Sequence, residues 1–443
     1  MTEHPGAPDG RVLMRTKSWT ASMTAHPGAP DGRKNMKPLK QGLGILLLCW
    51  ATYVTAYLCR VNISAALTKM SAGLGVSMEY LGMASSIYFI TYAAGQLLNG
   101  FLGDRVKPYR FLLTAVAAAG AANLAVGNVS NGAAFLLIWG INGYIQSMFW
   151  GSLLRLLSFH IPAEHHKTVS TVMSTASVTG YILSWSILGK AFAGLSWKAY
   201  FIVPGFCALL LIPCWLLTAR RHPMEQMLRE RRDTPPVGRA VRELFEDRMY
   251  FICLLCCAIG AIQEGAVFWL PVIFSRDLGL NADSSLLLLM VIPFSKLLGV
   301  FLARWLLGRH HENARRSMLA MLALVSAIAV LLVLTSRLSA LLTVLLIGLL
   351  ILAVNGSNWI IISYLPLSFS ERNMVSTLVG ILDFSIYVGA AVSSPLTGIV
   401  LARYGWPAVP VIWLGLTAAS VLLALTGAGG CLLRKGKRIY ECA

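Results

Sequence analysis

Twelve apolar segments, each close to the length a helix needs to cross a bilayer, constrain this 443-residue chain more than any other feature. A hydrocarbon core of about 30 Å demands about 20 helical residues rising about 1.5 Å each. The segments run over residues 42–66, 79–103, 109–127, 133–159, 168–190 and 199–219, then 249–275, 284–307, 316–335, 338–366, 374–402 and 407–430. Hydrocarbon offers no partner to backbone N–H and C=O groups, so a helix must satisfy them within each segment. The sequence lacks the short alternating strands of a transmembrane barrel. Hydrophobic residues make up 56% of the chain and charged residues 13%, against roughly 45–50% and about 25% in soluble domains. These values exclude an ordinary soluble fold, and the expected class is an all-α membrane protein.

The few charges are lopsided, with a formal net charge of +18. In a soluble chain that excess would suggest a nucleic-acid partner. With both termini on one side of the membrane, 27 Lys and Arg residues fall on that side and 6 on the other. The richer side is cytoplasmic by the positive-inside rule. The charge is thus a topology label, and no basic stripe interleaves with aromatics as nucleic-acid binding requires. The expectation is a multi-pass protein of the cell membrane with both termini cytoplasmic, the lipid bilayer as its surroundings and no nucleic-acid partner.

Residues 1–41 contain no apolar core, so no cleavable signal peptide is expected and the first segment serves as the insertion signal. This stretch carries a direct repeat, Met1–Arg11 and Met23–Arg33, whose Pro, Gly and charge content predicts a disordered tail. A docking role, a local duplication and a start at Met23 or Met36 are the readings of the repeat. Most of the nine cysteines lie in apolar segments without accompanying His, so no metal or cofactor is expected. Cys431 beside the basic tail of residues 431–443 is either a palmitoylation site or part of a solvated tail.

The polar stretch at residues 220–248 divides the segments six and six, giving halves at 42–219 and 249–430. The halves repeat each other. Ser170, Ser174, Ser177 and Tyr181 share one helical face, and a shift of 206 residues places Ser376, Gly380, Asp383 and Tyr387 on the equivalent face. Val169-Ser-Thr171 is answered by Val375-Ser-Thr377, and Asn142-Gly143 by Asn355-Gly356. Duplicated halves are the arrangement through which transporters alternate access around a central site.

After the second segment the chain reads Gly100-Phe-Leu-Gly-Asp104-Arg105, with a weaker copy at Gly299-Val-Phe-Leu-Ala303-Arg304. This resembles the G-x-L-x-D-R loop of the major facilitator superfamily. The resemblance implies two pseudo-symmetric six-helix halves and a cytoplasmic gate formed here by Gly100, Asp104, Arg105 and Arg304. In the first segment, Tyr57-Leu-Cys-Arg60-Val-Asn62 is similar to the Y-x-x-R-x-N signature of the organophosphate:phosphate antiporters, as is Trp150-Gly151 in the fourth. That similarity implies phosphate contact by Arg60. The family's second phosphate-binding arginine falls at Gln263, its histidine at Ser177 and a lysine at Gln96, so much of its cationic set is replaced.

Independently of family, an ionised group at the bilayer centre costs roughly 2.5–3.5 kcal/mol on insertion scales. Arg60, Lys296, Glu264 and Asp383 therefore need a wet cavity or one another. Arg60 and Lys296 can form a two-cation clamp for an anion; the other reading pairs them with Glu264 and Asp383. Either carboxyl can carry a coupling proton or sit in a static pair. Tyr57, Gln96, Gln146, Ser177, Gln263 and Tyr387 are the remaining candidates for substrate contact, and Asn355 and Asn358 serve as cavity lining or as interhelical links. Arg155, late in its segment, is expected to snorkel to the cytoplasm.

The favoured function is secondary active transport of a small anionic solute, an organophosphate, phosphate or carboxylate, by a monomer with phosphate or protons as coupling ion. The alternatives are a transporter-like membrane sensor of a small anion and a proton-coupled symporter of a non-phosphate solute. No enzyme is expected, because HExxH, GxSxG, the P-loop and an ATP-binding domain are all missing from the sequence.

Overall fold

A computed structural model describes residues 39–188, 191–192, 194–221, 236–246, 249–274, 278–279, 291–336 and 338–426. The repeated tail, the basic C-terminal segment with Cys431 and most of the central linker lie outside these residues. Fourteen α-helices follow in order: α1 (Leu39–Leu74), α2 (Met78–Arg105), α3 (Pro108–Asn128), α4 (Gly132–Gln146), α5 (Phe149–His160), α6 (His166–Ile182), α7 (Ala199–Arg221), α8 (Val237–Glu246), α9 (Met249–Val272), α10 (Val291–Arg309), α11 (Ala314–Thr335), α12 (Ala340–Trp359), α13 (Val375–Tyr404) and α14 (Val409–Thr426). Short α8 belongs to the linker, and α4 with α5 form one interrupted crossing, so the helices coincide with the twelve apolar segments. Eight of the described helices are long and apolar enough by length and composition to cross a membrane.

Local chemistry sets the helix ends. Asn131 and Asn313 accept from Ala134 N at 2.9 Å and Arg316 N at 3.0 Å, satisfying donors that the first helical turn leaves open. Gly75 and Gly279 adopt φ of +64° and +65°, ending α1 and following α9 in the same left-handed turn. A side chain there would be strained, which is why both halves carry Leu-Gly at this position.

Long apolar side chains face outward, Leu210 at 72% exposure and Leu334 at 70%. Patches of that kind would aggregate in water and are at home in lipid. Without a hydrophobic force between helices, small residues bring backbones together. A Cβ on Gly100 would fall 2.8 Å from Gly380 Cα, so α2 and α13 cross in direct backbone contact. The second link between the halves pairs α6 with α10. The internal symmetry exchanges these two seams, since α2 corresponds to α10 and α6 to α13.

Several crossings depart from a regular α-helix among the described residues. The fourth breaks at Ser147 and Met148, whose N–H groups reach Tyr144 O and Ile145 O at 3.3 and 3.0 Å. The fifth continues α6 into a π-helical turn at Leu183–Leu188, and the tenth continues α12 into another at Ile360–Tyr364. Such turns let side chains leave the ordinary helical register and cluster at functional sites.

Candidate functional site

A central cavity of about 100 Å³ lies between the halves. From the first six crossings it is lined by Tyr53, Tyr57, Arg60, Tyr92, Trp150, Ser174, Ser177 and Tyr181; from the last six by Gln263, Glu264, Lys296, Asn355, Asn358, Asp383 and Tyr387. All four membrane-embedded charged residues singled out from the sequence reach it.

The Tyr57-x-x-Arg60-x-Asn62 stretch works as two faces of α1. Asn62 Nδ2 donates to Asn123 Oδ1 at 2.8 Å and to Tyr200 O at 3.0 Å, while Asn123 and Asn142 both donate to Cys59 O at 3.1 Å. That polar knot fixes the helix against α3, α4 and α7, leaving Tyr57 and Arg60 turned to the cavity. Asn142 is therefore an interhelical link and not a lining residue.

Arg60 Nη2 donates to Tyr387 Oη at 2.7 Å across the interface between halves. Its guanidinium carbon lies 5.4, 5.6, 4.6 and 5.8 Å from the ring centres of Tyr57, Tyr88, Tyr92 and Tyr387. Aromatic faces attract a cation without neutralising it. Among the described residues no carboxylate comes within ion-pair distance of Arg60. Tyr88, Tyr92 and Gln96 repeat at a spacing of four along α2, a signal that would have placed the two tyrosines on the same helix face as Gln96.

The acids are held differently. Glu264 Oε1 pairs with Lys296 Nζ at 3.5 Å and accepts from Gln263 Nε2 at 3.1 Å. Asp383 accepts from Gln96 Nε2 at 2.9 Å. Gln96 thus touches a lining residue from behind without lining the cavity itself. Lys296 also stands 5.7 Å from the Tyr181 ring centre, and its backbone carbonyl accepts from Asn355 Nδ2 at 2.7 Å. Lys296 thus lies within ion-pair distance of Glu264, while the contact to Asp383 comes from Gln96.

Gln146 does not reach the cavity; it is buried, and its Nε2 has no partner among the described residues. The break at Ser147 and Met148 resets the helical register, so Trp150 lines the cavity while the residue four before it points elsewhere.

At one end the two halves close on each other. Asp104 is fully buried and accepts from Ser376 N at 3.0 Å and Thr377 N at 2.6 Å, the first turn of α13. A carboxylate there satisfies open donors and complements the helix dipole. Arg155 is 2% exposed, with Nε 3.4 Å from Asp104 Oδ1 and Nη1 bonded to Gly103 O and Val106 O. The snorkelling expected of Arg155 is corrected by this: the Asp104 carboxylate and two carbonyls satisfy the guanidinium inside. Arg105 donates to Phe101 O of its own helix at 2.6 Å. On the symmetric seam Arg304 Nη1 donates to Lys167 O at 3.2 Å and Thr171 Oγ1 at 3.0 Å, and Nη2 to Thr168 Oγ1 at 3.2 Å. Lys167 pairs with Glu312 at 2.6 Å, and Tyr364 Oη donates to Glu312 at 3.2 Å.

The model of the Major Facilitator Superfamily matches residues 49–377. The chain is similar to a probable hexose phosphate transport protein of Chlamydia muridarum, 29% identical over 36% of this chain and 35% of that protein. It is also similar to the membrane sensor protein UhpC of Escherichia coli, 26% identical over 40% of each chain. The matches therefore span well under half the length of these curated relatives. In fold it resembles the crystal structure of FucP, a major facilitator transporter in the outward conformation, with a TM-score of 0.66, 12% identity, and 86% and 97% of the two chains covered.

Proposed function

The chain belongs to the Major Facilitator Superfamily, and from that premise we propose that it moves a small anionic solute, an organophosphate, phosphate or carboxylate, across the cell membrane by alternating access. The observation that carries this reading is Arg60: a guanidinium facing an interface cavity, ringed by aromatic faces and without a carboxylate partner among the described residues. Such a group presents bidentate donors to a phosphate or carboxylate. Lys296 offers a second positive charge from the opposite half, so a bound anion draws the halves together. The two halves span 42–219 and 249–430 with the linker 220–248 between them, the protein acts as a monomer, and the Asp104 end faces the cytoplasm.

In this scheme the closed Asp104 end is one of two states, and transport requires its contacts to open while the other end shuts. Lys296 is released to substrate only when Glu264 gives it up. Glu264 can do so by accepting a proton, which couples uptake to the proton gradient, or by swinging away as phosphate or a phosphate ester replaces it. The organophosphate reading is supported by the similarity to the hexose phosphate transport protein. A second reading, a sensor that binds the anion without moving it, is favoured by the similarity to UhpC.

One reconstitution separates these. In liposomes preloaded with phosphate, labelled glycerol phosphate, sugar phosphates and small carboxylates are offered at two internal pH values. Exchange that needs internal phosphate establishes antiport; uptake following the proton gradient without it establishes symport. Binding without uptake establishes the sensor. Arg60→Ala and Lys296→Ala should each abolish uptake in folded protein, and full activity in either would overturn the anion clamp.

A further inference from the structure

The two seams between the halves are related by the internal symmetry, yet they differ in charge. On the α2–α13 seam Asp104 and Arg155 neutralise each other in a buried pair. On the α6–α10 seam the position equivalent to Asp104 is Ala303, while the following arginine is kept as Arg304. Three of the five guanidinium N–H groups of Arg304 go to Lys167 O, Thr171 and Thr168, leaving Nε and one Nη2 hydrogen without an acceptor among the described residues. Arg309, one and a half turns on and exposed, has no hydrogen-bond acceptor or ion-pair partner among them either.

Both arginines face a groove of about 790 Å³ that opens at this seam. Its basic wall is Lys167, Arg304 and Arg309, and its acids are Glu164 and Glu312. Glu312 is committed to Lys167 and Tyr364, held there by a turn in which both His311 and Glu312 take positive φ, at 51° and 58°. Two successive non-glycine residues in that region cost about 1–2 kcal/mol each, so the placement of Glu312 is enforced. Along the same helix Phe301 and Trp305 line the groove at 48% and 61% exposure, one turn apart. The groove therefore combines cations with spare donors at the end of the apolar segment 284–307 with exposed apolar side chains inside that segment.

We propose that this groove binds the phosphate of an anionic phospholipid, with Arg309 and the spare donors of Arg304 on the phosphate and the acyl chains along Phe301 and Trp305. A basic pocket between helices at the membrane surface suits that headgroup chemistry. The groove is distinct from the central cavity and the assignment is independent of which solute is carried.

The test uses the full chain in nanodiscs of phosphatidylcholine with added phosphatidylglycerol, and native mass spectrometry of the lipids that stay bound after release. Phosphatidylglycerol should be retained selectively, and Arg309→Gln should lower its retention about fivefold, the effect of about 1 kcal/mol per basic residue near the surface. Arg110→Gln, another exposed basic position, should leave retention unchanged, as should soluble glycerol phosphate added in excess. Equal retention of the two lipids, or equal behaviour of the two variants, overturns the site. Displacement by glycerol phosphate overturns the lipid assignment and leaves a site for a soluble phosphate ester. Trp305→Ala, which keeps every charge, should weaken phosphatidylglycerol retention while leaving the binding of glycerol phosphate unaltered.

Discussion

Arg60 shows how one side chain can be both expensive and usable. Four tyrosine rings stabilise the cation without discharging it, and among the described residues only Tyr387 reaches it with a hydrogen bond. Tyr387→Phe keeps the ring and removes that bond. A hydrogen bond to a charged group contributes about 1.5–3 kcal/mol, so the KM for anion uptake should change by roughly tenfold or more while folding, read by size-exclusion profile, stays intact. An unchanged KM would mean that Tyr387 does not orient the guanidinium during binding. Glu264→Gln addresses the other cation. It removes the charge that holds Lys296 and keeps a side chain able to bond Gln263. If Glu264 carries the coupling proton, the variant should lose uptake driven by a pH gradient and retain counterflow of the same solute at equal pH; retained gradient-driven uptake would rule out Glu264 as the carrier. These charged positions were legible in the sequence because the bilayer makes any ion in an apolar segment costly, so each such residue demands a reason. Tyr88 and Tyr92 were harder to find because aromatic residues are ordinary in membrane helices, and only their spacing with Gln96 distinguishes them.

Helix ends and helix breaks, by contrast, separate what sequence reveals from what it hides. The twelve crossings and the half-repeat follow from composition and spacing, and the matching left-handed glycines Gly75 and Gly279 sit where aligned Leu-Gly pairs put them. The interruption at Ser147 is invisible to hydropathy, since the residues on both sides remain apolar, and it alone misplaces Gln146. Arg155 was misread for a related reason: its burial depends on Asp104, a residue 51 positions earlier in the chain. The Asp104 and Arg155 pair also makes a quantitative expectation at this scale. Breaking a buried ion pair from one side costs about 3–5 kcal/mol, because the remaining charge is stranded. Asp104→Asn should therefore shift the molecule away from the closed Asp104 end. A cysteine introduced at Ser376 in that background should react with a hydrophilic maleimide at least tenfold faster than in otherwise unaltered protein. Replacing Arg155 by Leu in the same background should restore part of the protection; equal labelling throughout would show that the pair does not hold this end shut.

Across the whole molecule, the closed end is built from two seams that must part together if the halves rock as rigid bodies. The Asp104 seam holds a buried, mutually neutral pair, whereas the Arg304 seam borders an open groove and is bridged by the Lys167 and Glu312 pair, with side chains 23% and 46% exposed. Exposed pairs contribute only about 0–1 kcal/mol, so this second seam can open and close without a large barrier, and its grip resides in the geometry of the Glu312 turn. Tethering it should then be enough to arrest the cycle. With Lys167→Cys and Glu312→Cys joined by a short, reducible bifunctional maleimide, uptake should fall to the level of protein-free liposomes. Cleaving the tether should restore the rate of the untethered double variant. With the nine native cysteines replaced throughout, each single cysteine treated alike should keep its activity, because no bridge can form. If the fully tethered protein still transports, the α6–α10 seam does not separate during the cycle and the rocking of two rigid halves is the wrong description of this chain.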